Sequence, residues 1–401
     1  MNRKKTFSLS ASLSGVARRY VRAVSRLASL KKGLLSCVLL LAGIHSGCAR
    51  KVCQVFGFPS AEPGYSLGVS ACYAGHIGDW LVMAGGCNFP SQGNKTYYSG
   101  IYAARMDATV LSWRLVGVLP EPAAYGVTVE SGDSLLFIGG NNKEKGLTGV
   151  YSIHLDATGS RADVRRLADL PYSIDNMAVA KSDSGIYVVG GNRDGSPSSD
   201  VLYLGLGEAC RECDDDATCG RQGQAWRVVG SVPGAPRVQP VCAAYNNKVY
   251  VWGGFFADGD SSVVHTDGYS LDTTTGRWSR LAAPHSVGGD EMTLSGGIAW
   301  SEGGHLYATG GVNKDIFLDA ISGRYERVKK DDYLKQPIGW YRFSGNLYEF
   351  DTVKGAWAKT VFASESLARA GAVAVPTRLG VYYIGGELKP ALRTPQIVLV
   401  R

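Results

Sequence analysis

Histidine is scarce in this chain of 401 residues, with six copies. The five beyond residue 47, His76, His154, His265, His285 and His305, never pair at a local metal-binding spacing. That excludes a histidine metal centre built from one stretch of chain, the copper type included. Acidic residues are absent from the first 47 positions, which hold nine basic ones (Arg3, Lys4, Lys5, Arg18, Arg19, Arg22, Arg26, Lys31 and Lys32). The apolar run behind them, Leu34 to Ile44, falls short of the roughly 20 residues that a membrane-spanning helix needs. Basic region, short apolar core and small residues in that order read as a secretory signal over residues 1–47. Cys48 follows directly and is the candidate lipidation residue, although His45-Ser46-Gly47-Cys48 has His where a lipobox usually has Leu. Export is expected, to the periplasm or to a lipid anchor at the cell envelope. Without the signal the formal charge passes from +7 to −2, so the basic balance gives no support for nucleic-acid binding.

A second CxxC is also missing. Of nine cysteines, Cys210, Cys213 and Cys219 cluster beside Asp214, Asp215 and Asp216, but no histidine lies near and no tetrahedral zinc set can be drawn locally. In an exported protein, the expectation is a disulfide-pinned surface loop over 208–222 with no metal.

What the sequence does contain is a repeat. A β-rich run ending in Gly-Gly occurs six times: Leu81-Val-Met-Ala-Gly85-Gly86, Leu136-Phe-Ile-Gly139-Gly140, Tyr187-Val-Val-Gly190-Gly191, Tyr250-Val-Trp-Gly253-Gly254, Tyr307-Ala-Thr-Gly310-Gly311 and Tyr382-Tyr-Ile-Gly385-Gly386. The first glycines are 54, 51, 63, 57 and 75 residues apart, near the roughly 50 of a kelch repeat. Trp113, Trp226, Trp278 and Trp357 mark a later strand in four of the units. The expected fold is all-β: residues 48–401 form a six-bladed kelch-type β-propeller. The 16 residues after Gly385 and the 37 from Cys48 to Gly85 together make one repeat length. The terminal strands near 395–400 and 52–56 should therefore pair and close the ring, covering edges that would otherwise be free. Insertions at 208–222 and 322–335 account for the longer spacings.

In such a fold the site lies at one mouth of the central channel, on residues after the Gly-Gly pairs and before the inner strands. The first set is Asn88, Asn141, Asn192, Asn313 and Glu387; the second is Tyr125, Asn176, Arg237, Glu291 and Arg369. Asn after glycine also makes ordinary turns. Gly386-Glu387-Leu-Lys389-Pro390-Ala-Leu-Arg393-Thr394 stands out, because it places an acid, a lysine and an arginine in one short loop.

That stretch resembles the glycine, glutamate, lysine-proline-glycine, arginine-threonine signature of the bacterial N-acetylneuraminate epimerases, kelch-propeller mutarotases of sialic acid. Further similar stretches are Gly85-Gly86-Cys-Asn88-Phe89-Pro90, Ala124-Tyr125-Gly126-Val127, Pro236-Arg237-Val-Gln239-Pro240, Gly311-Val-Asn313-Lys314-Asp315 and Leu367-Ala-Arg369-Ala-Gly371. Their order resembles the cyclically permuted branch, with the signature at the C-terminus. Ala391 replaces the more usual glycine. The resemblance implies interconversion of the α and β anomers of a small-molecule substrate, sialic acid, without a cofactor. It implies Glu387 and Arg393 as the catalytic pair, with Glu387 carrying protons and Arg393 clamping the substrate carboxylate. Arg237 and Arg369 are reserve clamps, and Asn88, Tyr125 and Asn313 further substrate contacts. The competing reading is a non-catalytic kelch propeller that binds a glycan or protein at the cell envelope. A hydrolytic sialidase would need the Asp-box Ser-x-Asp-x-Gly-x-x-Trp, which does not occur here.

Overall fold

The computed structural model describes residues 50–91, 93–205, 226–358 and 360–401. The signal segment 1–47, Cys48 and the loop 208–222 with Cys210, Cys213 and Cys219 lie outside the described residues. The fold belongs to the compact unit Lys51–Arg401. No helix among the described residues is long and apolar enough to cross a membrane.

The unit is all-β and antiparallel, built from six main sheets. Five follow chain order, with inner strands Tyr73–Ile77, Val127–Ser131, Ala178–Lys181, Val238–Tyr245 and Gly297–Glu302. The sixth joins both ends of the unit: Val373–Thr377, Gly380–Ile384 and Ile397–Val400, with Val52–Val55 outermost and Val52 opposite Val400. Second strands such as Ser134–Ile138 and Gly185–Val189 are buried along their whole length. Their unbroken apolar runs follow, because a strand covered on both faces needs no polar side. The outer strand Arg227–Ser231 is exposed throughout.

Six apolar clusters fill the spaces between sheets. Val82, Ile101 and Ala103 of the first sheet meet Leu135, Phe137 and Ile153 of the second. Trp300, Tyr307 and Leu347 of the fifth meet Val381, Tyr383 and Val398 of the sixth. Ile384, Ile397 and Leu399 of the sixth then meet Leu81, Met83 and Tyr102 of the first. A cavity of about 240 Å³ runs along the inner strands, with Ala74, Thr128, Ala178, Val241, Ala299 and Ala374 on its wall.

At one end of that cavity six backbones join in a cycle. Tyr125 N–H donates to Ala71 C=O, Asn176 to Tyr125, Gln239 to Asn176, Gly296 to Gln239, Gly371 to Gly296 and Ala71 to Gly371, at 2.7–3.0 Å. All six residues have φ between 53° and 73°. The Gly-Gly repeat is explained by the same crowding. A Cβ on Gly385 would lie 2.5 Å from the Val69 carbonyl oxygen, and one on Gly190 2.4 Å from that of Arg237, each on the following sheet. Only glycine lets the turn approach so closely at positive φ.

Candidate functional site

Glu387 opens a short hairpin, Glu387–Lys389 paired with Leu392–Arg393. Its backbone exchanges hydrogen bonds with Ala370, so Glu387 stands beside Gly371 of the cycle. Ala391 makes the tight turn at φ 65°, a left-handed conformation that costs a residue with a Cβ roughly 1–2 kcal/mol. The glycine usual at this place in the signature thus has a backbone reason.

Across the hairpin Arg393 Nη1 lies 2.5 Å from Glu387 Oε2. The arginine side chain is 6% exposed and the glutamate 24%. Arg393 Nε donates to Ser70 Oγ at 2.8 Å, and its guanidinium lies 5.0 Å from the centre of the Phe89 ring. Cys87 Sγ donates to Tyr125 Oη at 3.4 Å, and Lys95 Nζ stands 4.3 Å above the Tyr125 ring. Three consecutive sheets, the sixth, first and second, therefore contribute to one cluster. Lys389 Nζ, from the same hairpin, donates to the carbonyls of Leu334 and Gln336 and so fastens the end of the 322–335 insertion beside it.

Burial raises the Glu387 pKa above the ordinary carboxylate value, against the opposing charges of Arg393 and Lys95. Burial works against the charged form of Arg393, but Glu387 and then Tyr125 and Cys87 outweigh it, and its pKa is raised. Burial, helped by Cys87, pushes the Tyr125 phenol well above its usual value, against the pull of Arg393. A carboxyl group moved toward neutrality beside a fixed cation can exchange protons with a hydroxyl, and the cation can hold an anion.

Four residues expected at the site are placed elsewhere. Arg237 and Arg369 are 1% and 0% exposed. Arg237 donates to the Gly253 carbonyl and to Asp267, Arg369 to the carbonyls of Gly385 and Gln396 and to the Gln396 side chain. Both guanidiniums tie Gly-Gly turns to their own sheets, with the Nε of each left without a partner, and this burial does not support their assignment as reserve carboxylate clamps. Asn88 is 2% exposed, donates to the carbonyls of Gly64 and Gly68 and accepts from Tyr98. Asn313 caps the helix Lys314–Ile321 by accepting from the Ile316 N–H. The Asn88 side chain is fully engaged, and the Oδ1 of Asn313 is taken by the helix cap. In both, the expectation was one residue out of step: successive strand residues face opposite ways, and the position after Gly-Gly that matches Glu387 is Cys87 in the first sheet and Val312 in the fifth. Ser70, Cys87, Phe89 and Lys95 were missed as site residues, although Cys87 and Phe89 lie inside a stretch already noted for its likeness to the family.

No group of three or more His, Cys, Asp or Glu among the described residues could hold a metal ion, and Cys53, Cys72, Cys87 and Cys242 are free thiols.

Comparison with known proteins gives consistent results. A family profile described as N-acetylneuraminate epimerase matches residues 191–401, a stretch that includes Glu387 and Arg393. N-acetylneuraminate epimerase 1 of Escherichia coli O6:H1 is 28% identical over 218 residues, 52% of this chain and 55% of that protein. N-acetylneuraminate epimerase of Pasteurella multocida is 26% identical over 261 residues, 63% of each chain. The chain thus spans about half the length of the curated relatives it matches. A solved structure titled "Structure of YjhT" superposes with a TM-score of 0.57 at 15% identity, covering 85% of this chain and all of that one, a likeness of fold.

Proposed function

The chain belongs to the N-acetylneuraminate epimerase family, and on that premise we propose that it is a mutarotase interconverting the α and β anomers of N-acetylneuraminic acid. The observation that carries the reading is the Glu387–Arg393 pair, 2.5 Å apart and largely withdrawn from solvent beside the backbone cycle. Glu387 takes the proton of the anomeric hydroxyl and delivers it to the ring oxygen as the ring C–O bond breaks. The open keto form turns about its C–C bond, and the ring recloses on the other face with the protons returned. Arg393 holds the substrate carboxylate. An arriving carboxylate competes with Glu387 for that cation and raises the Glu387 pKa further, toward the range where one carboxyl group both gives and takes protons. No cofactor is needed for these steps.

The scaffold is a six-bladed propeller closed through the pairing of Val52–Val55 with Ile397–Val400. The cyclic succession of six apolar clusters and the six-membered backbone cycle support this reading. The protein works outside the cytoplasm, exported by the segment 1–47, with Cys48 the residue to be acylated. The basic, acid-free segment and its apolar core support the export step.

The deciding experiment follows freshly dissolved β-anomer by NMR with and without the protein. Faster equilibration at catalytic protein concentration is expected. Saturable sugar binding with no change in rate would replace the mutarotase reading by that of a binding propeller.

A further inference from the structure

The residues after each Gly-Gly pair divide the mouth into unlike arcs. Going round, they are Glu387, Cys87, Asn141, Asn192, Phe255 and Val312, each joined by its backbone to the residue before a member of the cycle, Phe255 and Val238 as part of a longer ladder. Neighbours joined as these are have Cα atoms about 5 Å apart, so the six-membered cycle is about 10 Å across. Asn176 is the third member from Gly371 in either direction and lies opposite it, and therefore opposite Glu387.

On this far side an amide network is built around one buried carboxylate. Asp175, 7% exposed, accepts through Oδ1 from Asn176 Nδ2 at 2.6 Å and from Asn192 Nδ2 at 2.8 Å. Asn176 Oδ1 in turn accepts from Gln239 Nε2 at 2.8 Å. Because the carboxylate can only accept, it fixes which way both asparagine amides point. Among the described residues, the carbonyl oxygens of Asn192 and Gln239 take part in no side-chain hydrogen bond, and Asn141 Oδ1 is buried with no partner. Gln239 Oε1 lies 3.3 Å from the place a Cβ would occupy on Gly296, over the rim of the cycle. The remaining arc offers Phe255, in edge contact with Phe317 at 5.0 Å, and Val312, neither of which can bond a hydroxyl.

We propose that Asn192 and Gln239, oriented by Asp175 and Asn176, form a second subsite that reads the polyhydroxyl tail of the sugar acid held at Glu387 and Arg393. The proposal rests on the mutarotase reading and deepens it. A ligand whose carboxylate and anomeric carbon are fixed at one side of a mouth about 10 Å wide extends its far end to the other. Hydroxyls there donate to amide oxygens and accept from amide N–H groups, a match that apolar residues cannot supply. Asp175 and Asn176 are positioning residues.

The test compares N-acetylneuraminic acid with the same sugar shortened to a one-hydroxyl tail, made by periodate cleavage and borohydride reduction of its methyl glycoside, which protects the anomeric carbon, and then released by acid. The parent protein should favour the full-length sugar in kcat/KM by about tenfold or more, chiefly through KM. Asn192→Ala and Gln239→Ala should each bring that ratio to within about threefold of one. Retention of the parental ratio in both variants would overturn the subsite. Should the parent not accelerate anomerisation at all, the mutarotase reading fails separately. The subsite is then judged by calorimetric binding of the same two sugars, where equal affinity of the parent for both would sink it.

Discussion

Arg369, just before the first strand of the sixth sheet, and Arg393, in the hairpin that follows its Gly-Gly turn, do opposite work. Arg369 is fully buried and its hydrogen bonds end on its own sheet, at the carbonyls of Gly385 and Gln396. Arg393 lies a hairpin away, reaches the neighbouring sheet at Ser70, and shares its charge with a carboxyl group that still meets solvent. Arg237 repeats the first pattern on the fourth sheet, from Gly253 to Asp267, with Tyr269 beneath it as Tyr383 lies beneath Arg369. The difference teaches that charge and residue type do not identify a ligand clamp in this fold. What matters is whether the partners of the guanidinium hold a Gly-Gly turn to its own sheet, as even the Asp267 carboxylate does for Arg237, or include an acid in the hairpin that follows the turn and a side chain of the next sheet.

The comparison breaks most sharply at Glu387. Glu387→Gln keeps shape and removes the titrating group, so the catalysed anomerisation rate measured by NMR should fall by roughly 10²- to 10⁴-fold while the unfolding midpoint hardly moves. Next in size is a stability effect on the scaffold side. Arg369→Ala strands the buried Gly385 carbonyl, removes one of two donors from that of Gln396 and leaves a large buried void, and should cost about 3 to 5 kcal/mol in denaturant unfolding. Arg393→Ala should cost only about 1 to 2 kcal/mol, because Glu387 can take up a proton when its partner is gone, yet it should weaken sugar binding about ten- to a hundredfold. Arg393→Lys should regain part of that affinity and no more, since a point charge lacks the two-pronged geometry. Equal destabilisation by the two alanine variants would erase the distinction between the arginines.

A smaller effect concerns pH. Burial raises the folded pKa of Glu387, so its base form is lost as pH falls through a value above the ordinary carboxylate range. The acid limb of kcat/KM against pH should have its midpoint above that of an ordinary glutamate. Removing the opposing cation in Arg393→Ala should move that midpoint higher still, and a shift downward would show that Arg393 does not govern Glu387. The smallest effect lies at the hairpin turn. Ala391 sits at φ 65°, so Ala391→Gly should relieve strain and stabilise by at most about 1 kcal/mol, read as a slight rise in Tm with kcat/KM within twofold.

The six repeats were legible because each Gly-Gly turn meets a local constraint, positive φ against the next sheet's backbone, and a local constraint leaves its mark in the sequence. Glu387 and Arg393 were legible for a similar reason: a two-stranded hairpin of seven residues brings them together whatever surrounds it. Tyr125 was found through its place before an inner strand. Asn88 and Asn313 were misjudged because a step of one residue along a strand or into a helix cap turns a side chain from the mouth into the scaffold. Lys95, Ser70 and the amide network around Asp175 left no such trace, since their partners come from other sheets or from opposite sides of a turn.

By itself, then, the sequence determined a repetitive antiparallel β architecture and one charged hairpin, both products of short-range geometry. Tertiary structure alone decided which arginine faces the mouth, which sheets supply Ser70, Cys87, Lys95 and Tyr125, and that Asn176 stands across from Glu387. Those relations depend on the order in which the six sheets pack and on how far each turn can approach the next backbone, distances that no single repeat contains.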